Sequence, residues 1–481
     1  MRYAHEVGKV RAAEQALMAR LPEGTLMQRA AAGLAAVCAG LLPRVYGADV
    51  VLLVGGGDNG GDALYAGARL ARRGARVTAV AAGSKIHEEG LAALRGAGGR
   101  LADDAGIEGA DLVIDGLTGI GGTGGLREPY ATFARRASEA DGIVVACDVP
   151  SGVDASSGRV EGTAVRADVT VTFGTHKPGL LIDPGAAYCG VVELVDIGLD
   201  LPDPDVVAAW PMDVRPPEPG PESDKYRRGV VGILAGGDEF TGAAVLSVGG
   251  AVRGGAGMVR FASVPHAVEV VRHRWPEVVT AVIEPRDGLD GVGRVQAWVV
   301  GPGLGTGADG EALVEAALST DLPALVDADG LTILARRRDL LRREAPTVLT
   351  PHAGELSRLL GVEREIIEAR RLEHVRRAAA ELSAIVLLKG STTLVAEEDR
   401  PVRVNPTGTP RLATAGTGDV LSGLIGALLA GGMQALDAAA AGAYLHGLAA
   451  RLASAGEPSD TPISAFDVVT GLPDAFRSLT G

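Results

Sequence analysis

The sequence predicts an α/β protein of two domains, each a mostly parallel sheet covered by helices on both faces. Three observations lead there. A chain of 481 residues is long for one hydrophobic core. Short Val/Ile runs alternate with Ala-rich, Arg-bearing helical stretches, and continuous apolar strands of this kind are buried on both faces. A stretch rich in Pro, charge and turn formers at 215–225 (RPPEPGPESDK) interrupts the alternation, which then restarts. The expected domains are 1–215 and 225–481.

Along the first domain, residues 1–48 read as helical, with Leu and Met at helical spacing in Ala-rich segments around Glu14, Arg20 and Arg29. Strands are expected at 50–54, 76–81, 112–115, 143–148, 169–173 and 191–197, with a helix at 62–73. In the second domain they are expected at 230–235, 257–262, 297–300, 324–327, 347–349 and 385–388. The loop motifs of the halves differ, so the chain is not a repeat.

Composition narrows the function classes. Hydrophobic residues make up 47 % of the chain, and with aromatics at only 3 % the interior must be filled by Ala, Val and Leu. The 69 glycines have no period, which excludes a collagen-like chain. A net charge of −14 with no Lys/Arg-rich run argues against a nucleic-acid partner. Cys38, Cys147 and Cys189 fit no metal spacing and cannot all pair, as in a reducing cytoplasm. The first ten residues carry Arg2, His5, Glu6 and Lys9, unlike a signal peptide. The longest apolar stretch, 420–436, holds several glycines and is shorter than a usual membrane span, so a buried helix and no membrane partner are expected.

Chemistry-bearing residues gather where strands end. The first strand runs into Gly55-Gly-Gly-Asp58-Asn59-Gly60-Gly61-Asp62. The spacing of Gly55, Gly57 and Gly60 satisfies G-x-G-x-x-G, a weak signal alone. A dinucleotide fold also needs an acid about 20 residues on, and here the second strand ends in Ala-Ala-Gly-Ser. Asp58 within the loop would repel a pyrophosphate. The loop suits a cation or a hydroxyl-bearing ligand better, or else is a tight turn capped by Asp62. Two more loops follow strands of the same sheet, Asp115-Gly-Leu-Thr-Gly-Ile-Gly-Gly-Thr-Gly-Gly and Asp148-Val-Pro-Ser-Gly. Ligands of open α/β sheets bind at the carboxyl ends of strands, so three such ends converge on one site.

These motifs, DNGGD, IDGLTGIG and CDVPSG, resemble the NAD(P)H-hydrate epimerase family over about residues 1–215. The resemblance implies a Rossmann-like doubly wound sheet. It implies that Asp58, Asn59, Gly60, Gly61 and Asp62, with Gly119, Ile120, Gly121, Gly122, Thr123, Gly124 and Gly125, bind the hydrated nucleotide. Asp148 becomes the catalytic, substrate-binding acid, and Asn59, Asp115 and Ser151 become ligands of a potassium ion. Asp58 departs from the family, which usually has Asn there.

After 225 five elements stand out: Gly236-Gly237-Asp238, Gly301-Pro-Gly303-Leu-Gly305, Thr350-Pro-His352-Ala-Gly-Glu355, Lys389-Gly390-Ser391-Thr392-Thr393 and Ala415-Gly-Thr-Gly418-Asp419. The last opens an apolar helix. Glycines at a helix N-terminus expose backbone N–H groups, and the helix dipole adds positive potential, which makes an anion hole. Asp419 in the first turn is expected to stay ionised there and to take a proton from an attacking hydroxyl. Lys389–Thr393 suits phosphate and adenosine contacts, although no Walker loop is present. His352 alone reads as a packed or capping residue, and its Pro-His-x-Gly-Glu turn favours a ligand contact. Asp327 either faces substrate or ends a strand.

Through AGTGD this half resembles the ribokinase-like superfamily. Through GPGLG, DADGL, TPHAGEL, LLKGSTT and LATAGTGDVLSG, in that order, it resembles the ADP-dependent NAD(P)H-hydrate dehydratases over 225–481. That implies a ribokinase-like α/β domain, nucleotide contacts at Lys389, Gly390, Ser391, Thr392, Thr393 and Gly418, and hydrate contacts at Ala243, Gly303, His352 and catalytic Asp419. It implies ADP as co-substrate, a magnesium ion beside its phosphates, and NADHX and NADPHX as substrates. A homo-oligomer in the cytoplasm is the expected setting. The competing reading is an ATP-dependent small-molecule kinase whose first half is a regulatory nucleotide-binding module.

Overall fold

The computed structural model describes residues 1–209, 211–284, 288–456 and 459–479. The chain divides into two compact units, Tyr3–Val206 and Met1–Arg2 with Val207–Gly481. Strands in chain order are β1 (Arg2–Ala4), β2 (Asp49–Val54), β3 (Arg76–Ala81), β4 (Arg100–Ala102), β5 (Leu112–Gly116), β6 (Ile143–Cys147), β7 (Val169–Phe173), β8 (Val191–Val195) and β9 (Val206–Ala208). There follow β10 (Val230–Leu234), β11 (Met258–Ser263), β12 (Val279–Val282), β13 (Ala297–Val300), β14 (Ala324–Val326), β15 (Thr347–Leu349), β16 (Ile385–Leu388), β17 (Thr393–Ala396) and β18 (Val402–Asn405).

The sheet of the first unit has the order β4-β3-β2-β5-β6-β7-β8, and every pair in it is parallel. Val50–Val54 are buried on both faces, as a continuous apolar run requires. The winding reverses beside β2, so the loops after β2 and β5 leave the sheet on opposite sides and open a crevice between them. Within the stretch read as helical, Val7–Met18 and Thr25–Leu41 are helices, whereas Arg2–Ala4 is a strand. Three residues are too few to show a period. The helix after β2 starts at Asp58 rather than at Asp62. The polar glycine stretch is therefore the first helical turn, with Gly61 N–H donating to Gly57 O at 3.3 Å. Glycine is required inside this turn because a Cβ on Gly60 would lie 2.2 Å from the Gly55 carbonyl oxygen.

In the second unit the strand order is β18-β17-β16-β15-β14-β13-β10-β11-β12. Pairing is parallel from β16 to β12 and antiparallel along β16-β17-β18. The reversal falls between β10 and β13. Among the strands not expected, β12, β17 and β18 are four residues each, and β4 and β9 three. The apolar stretch 420–436 is two helices, Thr417–Ala430 and Ala435–Ser454, broken at Gly431-Gly432 where Gly432 has φ +88°. Among the described residues no helix is long and apolar enough to cross a membrane.

Helix Thr417–Ala430 is buried almost throughout and lies tight against helix Thr241–Arg253. The approach depends on paired glycines. A Cβ on Gly423 would meet the Ser247 carbonyl oxygen at 1.8 Å, and one on Gly250 would meet that of Val420 at 2.1 Å. Backbone stands against backbone, so no side chain can yield. This crossing sets where the N-terminus of Thr417–Ala430 points. We expect Gly423→Ala to destabilise the protein by about 1–3 kcal/mol, as overpacking does. Gly242→Ala, with nothing within 4 Å, should be neutral or slightly stabilising. Denaturant titration of the two variants checks both.

Candidate active sites

In the first unit a cleft of about 1370 Å³ opens at the carboxyl ends of β2, β5 and β6. Its lining includes Arg11, Glu14, Asp58, Asn59, Asp62 and Asp148. The two glycine loops meet there. Asn59 Nδ2 donates to Thr118 O at 3.0 Å. A Cβ on Gly119 would lie 2.9 Å from Asn59 Oδ1, and one on Gly55 would lie 1.9 Å from Leu117 O. Gly119, Ile120, Gly121 and Gly122 line the cleft. Thr123, Gly124 and Gly125 are not among its lining residues, and Gly125 backs onto the Glu161 carbonyl, 2.5 Å from where a Cβ would sit.

Asp115 ends β5 with no exposed surface. Its Oδ2 accepts from Ser151 N (2.8 Å), and its Oδ1 from Ser151 Oγ (2.7 Å) and Leu117 N (3.2 Å). Burial pushes its carboxyl up to about 6, with the Ser151 and Leu117 bonds opposing. Ser151 Oγ lies 3.2 Å from Thr118 O, and Asn59 donates to that same carbonyl. Asn59, Asp115 and Ser151 thus come together around Thr118.

Asp148 follows β6 with φ +66°, a left-handed conformation rare for a residue with a side chain. Its carboxylate accepts from Thr172 Oγ1, Phe173 N and Lys177 Nζ. Lys177 is 1 % exposed and also donates to Thr172 Oγ1 (2.9 Å) and Phe173 O (3.0 Å). Sequence reasoning missed Lys177, in the loop after β7, and Glu14, in the first long helix. Burial raises the Glu14 carboxyl, and the charge of Asp148 adds to this.

In the second unit the loops after β10, β13, β14, β15 and β16 stand side by side in sheet order. Lys389 Nζ donates to Asp327 Oδ1 at 2.8 Å and lies 3.6 Å from Glu355. Ser422 Oγ donates to Asp327 Oδ2 at 2.7 Å. A Cβ on Gly418 would lie 3.4 Å from Lys389 Nζ and 3.7 Å from Asp327 Oδ2. Asp327 therefore ties the lysine loop to helix Thr417–Ala430. Gly416 caps that helix with φ +87°. Ala243 and Gly303 also meet, since a Cβ on Gly303 would be 3.0 Å from that of Ala243.

Asp419 does not stay simply ionised. Burial raises its carboxyl to about 7, with Asp327 adding to the shift and Lys389 opposing it. Desolvation outweighs the helix dipole on which the expectation rested. His352 caps helix Ala353–Leu360, its Nδ1 accepting from Gly354 N (3.0 Å) and Glu355 N (3.2 Å). The ring proton therefore sits on Nε2, which lies 3.6 Å from Glu355 Oε1 on a half-exposed ring.

In the loop after β16, Gly390 and Ser391 are exposed and Thr392 half-buried, whereas Thr393 is buried and donates to Gly390 O at 3.1 Å. Arg371, buried in helix Arg371–Leu382, donates through Nη2 to Leu388 O, Lys389 O and Thr392 O at 3.2–3.3 Å. His446 lies 2.8 Å from Thr417 O, and burial pushes it down to about 4. Neither was legible, since each acts from a helix with no motif of its own.

Comparison with known proteins covers both units. Residues 231–469 match the family model described as NAD(P)H-hydrate dehydratase, and residues 23–179 match that of the YjeF-related protein N-terminus. The bifunctional NAD(P)H-hydrate repair enzyme Nnr of Mycobacterium leprae is 47 % identical, with all of both chains covered. That of Mycobacterium tuberculosis is 50 % identical over 92 % of each chain. The chain belongs to the bifunctional NAD(P)H-hydrate repair enzymes. A solved structure of the ADP/ATP-dependent NAD(P)H-hydrate dehydratase from Bacillus subtilis, co-crystallised with ATP and Mg2+, is 30 % identical. It covers 56 % of this chain and 96 % of its own, with a TM-score of 0.51. The second unit of this repair-enzyme chain thus carries the ribokinase-like fold. Arg371→Met should weaken ADP binding on the order of tenfold, the worth of about 1.5 kcal/mol for a lost charged hydrogen bond, as titration calorimetry reads it.

Proposed function

We propose that this chain repairs hydrated NADH and NADPH in two linked steps. The first unit interconverts the R and S epimers of the hydrate. The second dehydrates the S epimer with ADP, releasing AMP and phosphate. The observation that carries the reading is the joint site of Asp327, Lys389, Gly418 and Asp419 at a helix N-terminus, within a chain aligned end to end with bifunctional repair enzymes.

Water leaves poorly at neutral pH, so the ring hydroxyl is first phosphorylated. Asp419 takes the hydroxyl proton. The N–H groups of Gly416–Gly418 and Lys389 hold the transferred phosphoryl, and elimination of phosphate restores the conjugated ring. Asp327 holds Lys389 at that place and reaches the same helix through Ser422. Among the described residues no group of three or more His, Cys, Asp or Glu is placed to hold a metal. A magnesium ion here would be carried chiefly by nucleotide phosphates and water, and would offset phosphate charge. In the first unit the oxygens of Asn59, Asp115, Ser151 and Thr118 form a small set around one buried carboxylate, a donor set that suits potassium. That ion would help hold the substrate's polar groups. Asp58–Asp62 and Gly119–Gly125 would bind the hydrated nucleotide, and Asp148 would act on it. The proposed domains are 1–215 and 225–481, although the compact units divide at Val206/Val207. Three buried free cysteines fit a cytoplasmic setting.

The kinase reading finds no support in relatives that match along the full chain. Consumption of ADP with recovery of reduced-nicotinamide absorbance separates the two.

Because burial raises the Asp419 carboxyl to about 7 and it must be ionised to act, dehydration should be fastest above that pH. It should fall about tenfold per unit below it. Asp419→Asn should abolish turnover while keeping ADP binding. A pH series of initial rates on S hydrate checks the profile.

A chemically made hydrate contains both epimers, and the full chain should clear them in one fast phase. Asp148→Ala should split this into a fast phase, its amplitude set by the S fraction, and a slow one. A time course with excess ADP shows which occurs, and a single phase at the wild-type rate would place Asp148 outside the reaction.

A further inference from the structure

Glu14, Asp58, Asp62 and Asp148 all line the cleft of the first unit, but two of these carboxylates are treated very differently. Asp148 receives hydrogen bonds from Thr172 Oγ1 (3.0 Å), Phe173 N (3.2 Å) and Lys177 Nζ (2.5 Å), and all three end on Oδ1. Its Oδ2 has no partner among the described residues, which leaves that oxygen for a ligand. Lys177 spends its three protons on Asp148, Thr172 and Phe173 and has none left for substrate.

Asp62 is the opposite case. Its Oδ1 is buried with no hydrogen-bond partner among the described residues. Burial, then the charges of Asp148, Asp58 and Glu14, push its carboxyl well above the ordinary range. The titratable groups around it are Glu14 on helix Val7–Met18, Asp58 on its own helix, and Cys147 and Asp148 at the end of β6. His87 packs against neighbouring Gly61, while the cations Lys177 and Arg11 act on Glu14. One carboxylate of the cleft is buried with an unpartnered oxygen and the other is held by a buried lysine, and such a contrast of surroundings is the mark of an acid and a base.

We propose that Asp62 and Asp148 are the acid–base pair of the epimerisation, Asp62 donating and Asp148 accepting, with Lys177 the positioning residue that decides which does which. This rests on the epimerase reading of the cleft. The carbon to be inverted bears a hydroxyl and is bonded to the ring nitrogen, so it is a hemiaminal. Asp148 takes the hydroxyl proton. The O–H electrons form a C=O bond, the C–N bond breaks, and its pair goes to nitrogen, which takes a proton from Asp62. The aldehyde turns about its adjoining C–C bond. Nitrogen then attacks the other face and returns its proton to Asp62. The carbonyl pair moves to oxygen, which recovers the proton held by Asp148. No oxidant, reductant or further reactant is consumed. The other route to inversion, loss of hydroxide, would leave a ring cation beside carboxylates able to remove the adjacent proton. The cofactor would then be dehydrated without nucleotide.

The test uses the full chain without nucleotide, so that the dehydratase is idle, and purified R-hydrated NADPH. The R/S ratio is followed by NMR across pH. Wild-type epimerisation should fall at alkaline pH, because the proton on Asp62 is required. Asp62→Asn should lower kcat on the order of 10²-fold or more and remove the alkaline fall. Lys177→Met should lower kcat with little change in KM. Both variants should still dehydrate the S epimer with ADP, which reports on the other unit. Removing one partner of a buried ion pair can unfold a protein, so Lys177→Met/Asp148→Asn, neutral at both positions, is made alongside. It should fold and leave the R epimer unchanged. An Asp62→Asn chain with the wild-type rate and pH profile overturns the pair. A Lys177→Met chain that changes KM alone overturns its positioning role. A wild-type chain that leaves the R epimer untouched overturns the epimerase reading itself.

Discussion

Parallel pairing sends the carboxyl ends of neighbouring strands to one edge of a sheet, and both sites depend on this. In the first unit the reversal beside β2 parts the loops that carry Asn59 and Asp115, and in the second the reversal between β10 and β13 parts those that carry Gly236 and Gly303. The loops are brought close again by glycine. Gly55 against Leu117 and Gly60 against Gly55 close the first site, and Gly250 and Gly423 seat the helix of the second. Side chains at these positions would hold the loops or helices apart by the width of a methyl group, more than a hydrogen-bonded site can absorb.

Burial then sets the chemistry of the acids these loops carry. Each carboxylate meets it differently: Asp115 through Ser151 and backbone N–H groups, Asp327 through Lys389 and Ser422, and Asp148 through Lys177. Among the described residues Asp419 has no such set, and its rise from 3.8 to about 7 corresponds to on the order of 4 kcal/mol. A helix N-terminus supplies at most about 2 kcal/mol to an anion, so desolvation wins. The outcome suits the base proposed for the dehydration, since a base works best when it titrates near the working pH.

Much of both sites was legible because each loop announces itself locally. Glycines between an apolar strand and a helix, with an acid or lysine beside them, mark a strand end, and strand ends of a parallel sheet converge. The residues that stayed hidden act across long separations in sequence. Lys177 reaches Asp148 from a loop 29 residues on, Ser422 reaches Asp327 across 95, and His446 reaches Thr417 across 29. Arg371 and Glu14 sit on helices where an arginine or glutamate reads as an ordinary solvated residue.

The sequence by itself determined the two parallel α/β units, the order of their loops, and the kinship that those motifs carry, because apolar periodicity and glycine spacing are local properties of the chain. Only the tertiary structure decided that Asp58–Gly61 are helical, that Asp327 belongs to a site, and which carboxylates have partners. Protonation depends on burial and on neighbours brought in from distant segments, and no local window of sequence contains either.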